Sequence, residues 1–183
     1  MRYYAGIGSR ETPDDILELM GSLAEGLYRR GYTLRSGGAP GADQAFEWGI
    51  ANLGGTKQIQ RHSQIFLPWA NFEKKNRSWI KPCLTEPGLG ADIIAKVYHP
   101  RYQYLSRGAK LLMARNSHQI FGPDIYNFTL VDFVICWTKG AKGGGGTGQA
   151  LRIARDKEIK IYDLADPEQL FNLRIRLDGS FII

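Results

Sequence analysis

The sequence predicts an α/β fold with a mostly parallel sheet and helices on both of its faces. Apolar strand patterns alternate along the chain with helical patterns, which is the order of parallel strands joined by helical crossovers. Residues 131–137, VDFVICW, form a nearly continuous apolar run, as expected of a parallel strand buried on both faces. The 183 residues, 43% hydrophobic and 23% charged, have the length and composition of one ordinary globular domain.

The first fifty residues predict two strand–helix pairs. In order, we expect a strand over 2–8, a helix over 12–31, a strand over 32–36 and a helix over 42–50. Thr12 and Pro13 favour a helix start as N-cap and first helical residue, and Gly31 favours a helix end. The apolar residues between Pro13 and Gly31 recur at helical spacing.

The rest of the chain predicts three more strands and a long irregular segment. We expect strands over 64–67, 131–137 and 159–162, helices over 102–116, 148–155 and 166–173, and an edge hairpin in the last ten residues. His99 and Pro100 should end a helix. Residues 68–90 carry several prolines and glycines, so this segment is either a functional lid or structure that the pattern does not reveal.

The net charge of +6 is concentrated in one segment. Residues 57–115 hold eleven Lys and Arg residues and three acidic residues, interleaved with aromatic side chains. This composition suits a nucleic-acid strand, whose phosphates pair with cations while its bases stack on aromatic rings. Trp69, Trp79, Arg101 and Tyr102 are the candidates to clamp a base. The alternative is a solvated face whose aromatic residues belong to the core.

Cysteine usage and hydropathy predict a cytoplasmic location. Cys83 and Cys136 lie outside any CxxC pattern, which favours reduced thiols. The sequence has no apolar run of membrane-spanning length, and its first twenty residues lack the pattern of a signal peptide. We therefore expect no membrane partner.

Three of the predicted strands are each followed by a loop of small residues and then by a helix. The loops are residues 6–10 (GIGSR), 36–43 (SGGAPGAD) and 143–148 (GGGGTG). Glycines let a phosphate approach the backbone, and the N-terminus of the following helix attracts the anion. Because the carboxyl ends of parallel strands meet at one edge of a sheet, we expect a phosphate or nucleotide pocket there. Purely structural tight turns are the alternative.

Spacing disfavours other nucleotide and metal sites. A P-loop needs Lys after its last glycine, whereas Gly146 is followed by Thr147. The dinucleotide fingerprint needs a glycine where this chain has Glu11, and the second strand ends without the acidic residue that holds an NAD ribose. The three histidines are scattered and form no zinc motif. We expect no metal and no cofactor.

Three motifs resemble one known superfamily. They are AGIGSRET over 5–12, LRSGGAPGADQAFE over 34–47, and VDFVICWT with GGTGQALRIA within 131–154. They are similar to the Rossmann-like superfamily of DNA-processing protein A, a recombination mediator, and of the lonely guy phosphoribohydrolases, and especially to short phage-type members of the first branch. The resemblance implies a single Rossmann-like nucleotide- or phosphate-binding domain over 1–183, with an irregular basic insertion at about 68–118.

The first branch implies a phosphate pocket formed by the 36–43 loop, next to a surface for single-stranded DNA. The residues that match this loop are Ser36, Gly37, Gly38, Gly41 and Asp43, and the cations expected beside it are Arg10 and Arg35. A role in DNA recombination is what this branch implies. Members of the superfamily often dimerise, so a homodimer is a further expectation.

The second branch implies hydrolysis of the N-glycosidic bond of a nucleoside monophosphate. The catalytic Glu of that branch would fall on Ala150. Without a carboxylate there, an oxocarbenium-like transition state loses its main electrostatic partner. Asp43, Asp132 or Glu11 could substitute, so the catalytic residues stay unassigned and an enzyme is the less favoured interpretation.

We therefore expect a binding protein whose loops hold a nucleotide or a phosphate of single-stranded DNA. The alternatives are a phosphoribohydrolase, a receptor or sponge for a nucleotide-derived signal, and a vestigial pocket. The predicted ligand-binding residues are Gly8, Ser9, Arg10, Arg35, Ser36, Gly37, Gly38, Gly41, Asp43, Gly145, Gly146 and Thr147. Asp43 and Thr147 could instead cap the helices that they precede. Further polar candidates are Arg115, Asn116 and Gln119.

Overall fold

The computed structural model describes residues 1–54, 56–73, 83, 86–171 and 173. In this part of the chain, five parallel strands form one sheet in the order β3-β2-β1-β4-β5. The strands are β1 (Arg2–Gly6), β2 (Tyr32–Ser36), β3 (Ser63–Ile65), β4 (Phe133–Cys136) and β5 (Lys160–Asp163). The predicted α/β fold with a parallel sheet is confirmed.

Helices connect successive strands of the sheet. They are α1 (Asp14–Arg29) between β1 and β2, α2 (Ala42–Gly54) and α3 (Thr56–His62) before β3, α4 (Leu89–Tyr98) and α5 (Arg107–Phe121) before β4, and α6 (Gly148–Asp156) before β5. Short 3-10 turns lie at Tyr102–Tyr104 and Lys139–Ala141. As predicted, α4 ends just before His99. Among the described residues, no helix is both long and apolar enough to cross a membrane.

The sheet is packed on both of its faces. On one face, Tyr4, Leu34 and Phe133 join a core with α1 and α2. On the other face, Ala5 and Val134 join a core with α5 and α6. Successive side chains of a strand point to opposite faces, which is why neighbours in sequence enter different cores. All four residues of β4 are buried, as its apolar sequence predicts.

The strand order reverses at β1, which pairs with β2 on one side and with β4 on the other. The helix after β1 packs on one face of the sheet, and the helix after β4 packs on the other. In open α/β sheets, this divergence opens a crevice at the carboxyl ends of the strands. The chain beyond β1 still pairs with β4, since the Ile7 amide donates to the Ile135 carbonyl at 3.1 Å and the Ser9 amide donates to the Trp137 carbonyl at 3.1 Å.

Several helix boundaries differ from the prediction, most clearly those of α1 and α5. α1 begins at Asp14, and the Thr12 hydroxyl donates to the Ser9 carbonyl at 2.8 Å instead of capping the helix. α5 begins at Arg107, five residues after its expected start, because Tyr102–Tyr104 form a separate 3-10 turn, and it continues to Phe121, five residues beyond its expected end. The reason is that residues 115–119 are polar yet buried, so the apolar pattern stops before the helix does. The expected edge hairpin lies outside the described residues.

Candidate functional site

A cavity of about 660 Å³ opens where the loops after β1 and β4 diverge. Its walls are residues 7–11 from the first loop, residues 138–139 and 144–147 from the second, part of α5, and Ala39 and Asp43 near the start of α2. All three predicted glycine loops thus contribute to one cavity at the carboxyl edge of the sheet.

The loop after β1 is held in place by close backbone packing. A Cβ atom at Gly8 would lie 2.7 Å from the Ala42 Cβ and 3.1 Å from the Trp137 amide nitrogen, so only glycine fits there. The Ser9 hydroxyl accepts from the Glu11 amide at 3.0 Å, and the Ser9 carbonyl accepts from the Ala42 amide at 3.3 Å. The turn made by these bonds carries Arg10 into the cavity wall.

The loop after β4 is fixed by a buried Thr–Asp pair. The Thr138 hydroxyl donates to the Asp163 carboxylate and accepts from the Gly143 amide at 2.9 Å. The carboxylate also accepts from the Thr138 amide at 3.0 Å. These bonds fix the base of the loop. From there the chain passes through Gly145 and Gly146, which line the cavity, to the N-terminus of α6. The aligned peptide dipoles of α6 favour an anion at this end.

The polar side chains that α5 contributes form the floor of the cavity. The Arg115 guanidinium pairs with the Asp43 carboxylate at 3.3 Å, and the two side chains are only 7% and 3% exposed. The Gln119 amide, oriented to satisfy its neighbours, accepts from Arg115 Nη1 at 3.0 Å and donates to Asn116 Oδ1 at 3.2 Å. Asn116 Nδ2 in turn donates to the Gly146 carbonyl at 2.7 Å, which connects α5 to the glycine loop.

The cations of the cavity are arranged in two layers. Arg115 lies at the floor, whereas Arg10 and Lys139 lie at the mouth, with exposed side chains. Each of the three is within 4 Å of a carboxylate. Arg10 lies 3.2 Å from Glu73, Lys139 lies 3.5 Å from Glu11, and Arg115 pairs with Asp43.

The structure brings Gly8, Ser9, Arg10, Asp43, Gly145, Gly146 and Thr147 into the cavity wall, but not the remaining predicted residues. The residues outside the wall are Arg35, Ser36, Gly37, Gly38 and Gly41. The Ser36 hydroxyl donates to the Gly6 carbonyl at 2.7 Å, which ties the ends of β1 and β2 together. Gly41 packs against the backbone of Ser9 and Arg10 behind the wall.

Arg35 is a buried structural cation and does not reach the cavity. Its Nε donates to Gln64 at 2.8 Å, and its Nη1 donates to the Ile120 carbonyl at 3.3 Å. Its guanidinium also stacks 4.0 Å above the Tyr3 ring. Burial lowers the pKa of Arg35 to about 10, so it stays charged near neutral pH. The arginine that lies beside the 36–43 loop in the cavity is Arg115, which pairs with Asp43.

The carboxylates considered for catalysis lie in different places. Glu11 and Asp43 line the cavity. Asp132 precedes β4 and pairs with Arg2 at 3.5 Å, which places it at the opposite edge of the sheet. Ala150 is fully buried in α6. In the described part of the chain, no group of His, Cys, Asp and Glu residues is arranged to hold a metal ion.

Three of the six aromatic residues that the structure describes in the basic segment are buried. Phe66, Phe72 and Tyr102 are buried, and Tyr102 donates its hydroxyl hydrogen bond to Asp92. Tyr104 is exposed. Trp79 lies outside the described residues. The interpretation in which the aromatic residues belong to the core therefore holds for Phe66, Phe72 and Tyr102.

Comparison with known proteins supports the fold. No protein-family model and no curated protein matches the sequence. A solved structure that is similar is DNA processing protein A from Helicobacter pylori, described for its unique mode of binding single-stranded DNA. The similarity has a TM-score of 0.55 with 17% sequence identity, and it covers 94% of this chain and 73% of that chain. The predicted Rossmann-like fold is thereby confirmed.

Proposed function

We propose that this chain binds a phosphate group of a nucleotide or of single-stranded DNA in the cavity between β1 and β4. The observation that carries the proposal is the meeting of the α6 N-terminus, its glycine loop and three cationic side chains in one crevice. A helix N-terminus and Arg side chains are both suited to phosphate. The α/β topology supports the same place, because ligands of such sheets bind where the strand order reverses.

The dimensions and walls of the cavity support a ligand larger than phosphate alone. Its volume of about 660 Å³ lies within the range of roughly 300–1,000 Å³ that is typical of small-molecule sites. Ile7, Leu112 and Met113 supply apolar wall next to the polar floor. An apolar wall beside cations suits a base and its phosphate.

The structural similarity favours single-stranded DNA as the source of that phosphate, since DNA processing protein A from Helicobacter pylori binds single-stranded DNA. In this proposal, residues 1–183 act as one binding domain. A role in DNA recombination, a phage-type origin, a homodimer and a cytoplasmic location stay predictions that rest on the sequence.

The test is binding of a fluorescein-labelled oligothymidylate of about 15 nucleotides, followed by anisotropy across a salt series. We expect affinity to fall steeply as salt rises. Arg10→Ala should weaken binding and reduce the slope of log K against log salt by about one, because one phosphate contact is lost. Arg29→Ala removes an exposed cation at the end of α1 and is the matched control.

Binding that does not respond to salt, or an Arg10→Ala variant that behaves like Arg29→Ala, would contradict the proposal. AMP is the second probe in the same assay, as a competitor. Strong competition by AMP with weak binding of the oligonucleotide would favour the receptor for a nucleotide-derived signal.

A phosphoribohydrolase is the second candidate, because Glu11 and Asp43 place carboxylates in the same cavity. Its test is release of free base from nucleoside monophosphates. Glu11→Gln should abolish that release without lowering the melting temperature, since the ion pair of Glu11 with Lys139 is exposed. No release by the unaltered protein excludes this candidate.

A further inference from the structure

Glu73 reaches the cavity from outside the loops that form it. It lies in the connection between β3 and α4, and its carboxylate approaches Nη2 of Arg10 to 3.2 Å. Arg10 is a wall residue of the cavity, whereas Glu73 is not. The ion-pair partner of Arg10 therefore comes from a segment outside the loops that form the cavity.

The backbone before Glu73 is anchored to the floor of the cavity. Phe72 is buried, its ring packs edge-to-face with Trp69 at 5.2 Å, and its amide donates to the Trp69 carbonyl at 3.1 Å. The Arg115 guanidinium lies 5.9 Å from the same ring. Phe72 thus fixes the position from which Glu73 extends to the mouth.

Glu73 also adopts a backbone conformation that is unfavourable for its residue type. Its φ is 50°, in the left-handed region that residues other than glycine seldom occupy. Such a conformation persists only where the surrounding contacts hold it. In this turn the identified contacts are the Phe72 anchor and the Arg10 ion pair.

The Arg10–Glu73 pair is exposed enough for a ligand to replace Glu73 on Arg10. The Arg10 side chain is 58% exposed and the Glu73 side chain is 25% exposed, so water and salt screen their attraction. A phosphate can bind a guanidinium through two parallel hydrogen bonds, which are stronger than a single contact to a carboxylate. A phosphate that enters the cavity would therefore replace Glu73 on Arg10.

We propose that Glu73 is an internal competitor that occupies Arg10 in the unliganded protein and is displaced by the ligand phosphate. The inference rests on the proposed function, because it concerns the same cavity. Since the ligand and Glu73 bind the same guanidinium, removing the carboxylate must tighten binding by the free energy of the lost pair. Glu73 thus lowers the affinity of the cavity mouth for anions, because an anion must displace it from Arg10.

The experiment measures the oligothymidylate affinity of Glu73→Gln by anisotropy at about 50 mM salt. We expect binding that is about two- to fivefold tighter than that of the unaltered protein, as for the loss of a partly exposed ion pair. Glu86→Gln is the matched control: it removes one charge from an exposed residue of the same connection, outside the cavity wall. Glu73→Gly is the second variant, because glycine tolerates φ 50°.

The double variant Arg10→Ala with Glu73→Gln separates competition from a general change in charge. The gain from Glu73→Gln should vanish when Arg10 is absent. A gain that persists without Arg10, or that Glu86→Gln reproduces, overturns the competitor role, and so does weaker binding by both Glu73 variants. Absence of binding by the unaltered protein and by both Glu73 variants overturns the proposed function together with this inference.

Discussion

At the scale of single residues, Gly37 determines where the Arg115 guanidinium can lie. A Cβ atom at Gly37 would be 1.1 Å from Arg115 Nη1 and 2.6 Å from the side-chain amide of Gln119. The sequence predicts Gly37 as a phosphate contact, whereas in the structure Gly37 lies outside the cavity wall and against Arg115. It leaves room for the cation that lies at the cavity floor.

Gly37→Ala should therefore displace Arg115 from Asp43. We expect a loss of about 1–3 kcal/mol in the free energy of unfolding, as for overpacking of a filled site, together with weaker oligothymidylate binding. Urea denaturation and anisotropy measure the two effects. Gly108→Ala is the control, since a Cβ there has no atom within 4 Å and alanine favours the helix. Equal stability and binding for the two variants would contradict the prediction.

His118 predicts a pH dependence of stability. Its Nδ1 lies 2.8 Å from the Gly122 carbonyl, and its ring stacks on Phe66 with centroids 5.6 Å apart. Burial lowers the pKa of His118, so the folded protein holds it neutral. The unfolded chain takes up a proton near its ordinary value of about 6.5, so stability should fall as pH decreases through that value.

The measurement is urea denaturation at pH values above and below this range. His118→Gln should show a smaller loss of stability on acidification than the unaltered protein. Burial also lowers the pKa of the more exposed His99, with nearby Arg152 acting in the same direction, so His99→Gln is compared in parallel. An unchanged pH dependence in His118→Gln would argue against the assignment.

At the scale of elements, the loop after β4 depends on Thr138. Its hydroxyl joins the Gly143 amide to the Asp163 carboxylate across the base of the loop. Thr138→Val leaves both partners without this hydroxyl, which should cost about 1–3 kcal/mol of folding free energy. Thr129→Val alters an exposed threonine and serves as control.

The Thr138→Val variant should also bind oligothymidylate less tightly. Without the hydroxyl, the glycine loop and the α6 N-terminus are no longer held in fixed positions relative to each other. Denaturation midpoints and anisotropy of both threonine variants test this. Unaltered binding by Thr138→Val would mean that the loop does not need this support.

The elements that the sequence predicts best are those with strong local patterns. β2 begins and ends where the pattern places it, and α6 starts at Gly148 as expected. α5 is predicted over 102–116 but spans Arg107–Phe121, and its end is missed because its last turns bury polar residues, which sequence periodicity assigns to the surface. The burial of Arg35 is missed for a related reason. A strand position alone does not reveal whether a charged side chain meets solvent or buried carbonyl groups.

At the scale of the whole molecule, strand order decides what the loops can do. The sequence predicts that the glycine loops share one edge of a parallel sheet, and the order β3-β2-β1-β4-β5 makes two of them diverge around one crevice. Local pattern gives Arg115 as a polar candidate but does not place it against Asp43, and it does not point to Glu73 at all. Both come from segments distant in sequence, and only the packed fold brings them to Asp43 and Arg10.

Ligand binding should raise the stability of the whole domain. A ligand that binds only the folded state, at about 100 times its dissociation constant, adds about 2.7 kcal/mol. For a chain of this size each kcal/mol raises the melting temperature by about 2–4 °C. We expect saturating oligothymidylate at low salt to raise the melting temperature by the amount that corresponds to this free energy. The increase should be smaller for Arg10→Ala. No shift at saturation would contradict binding to the folded state.

The burial of Arg35 has a practical consequence. Its bonds to Gln64 and to the Ile120 carbonyl hold β2, β3 and α5 together away from solvent, so dissolved ions screen them little. The contacts at the cavity mouth have no such protection. A concentrated salt wash should strip co-purifying nucleic acid from the protein while leaving its scaffold intact.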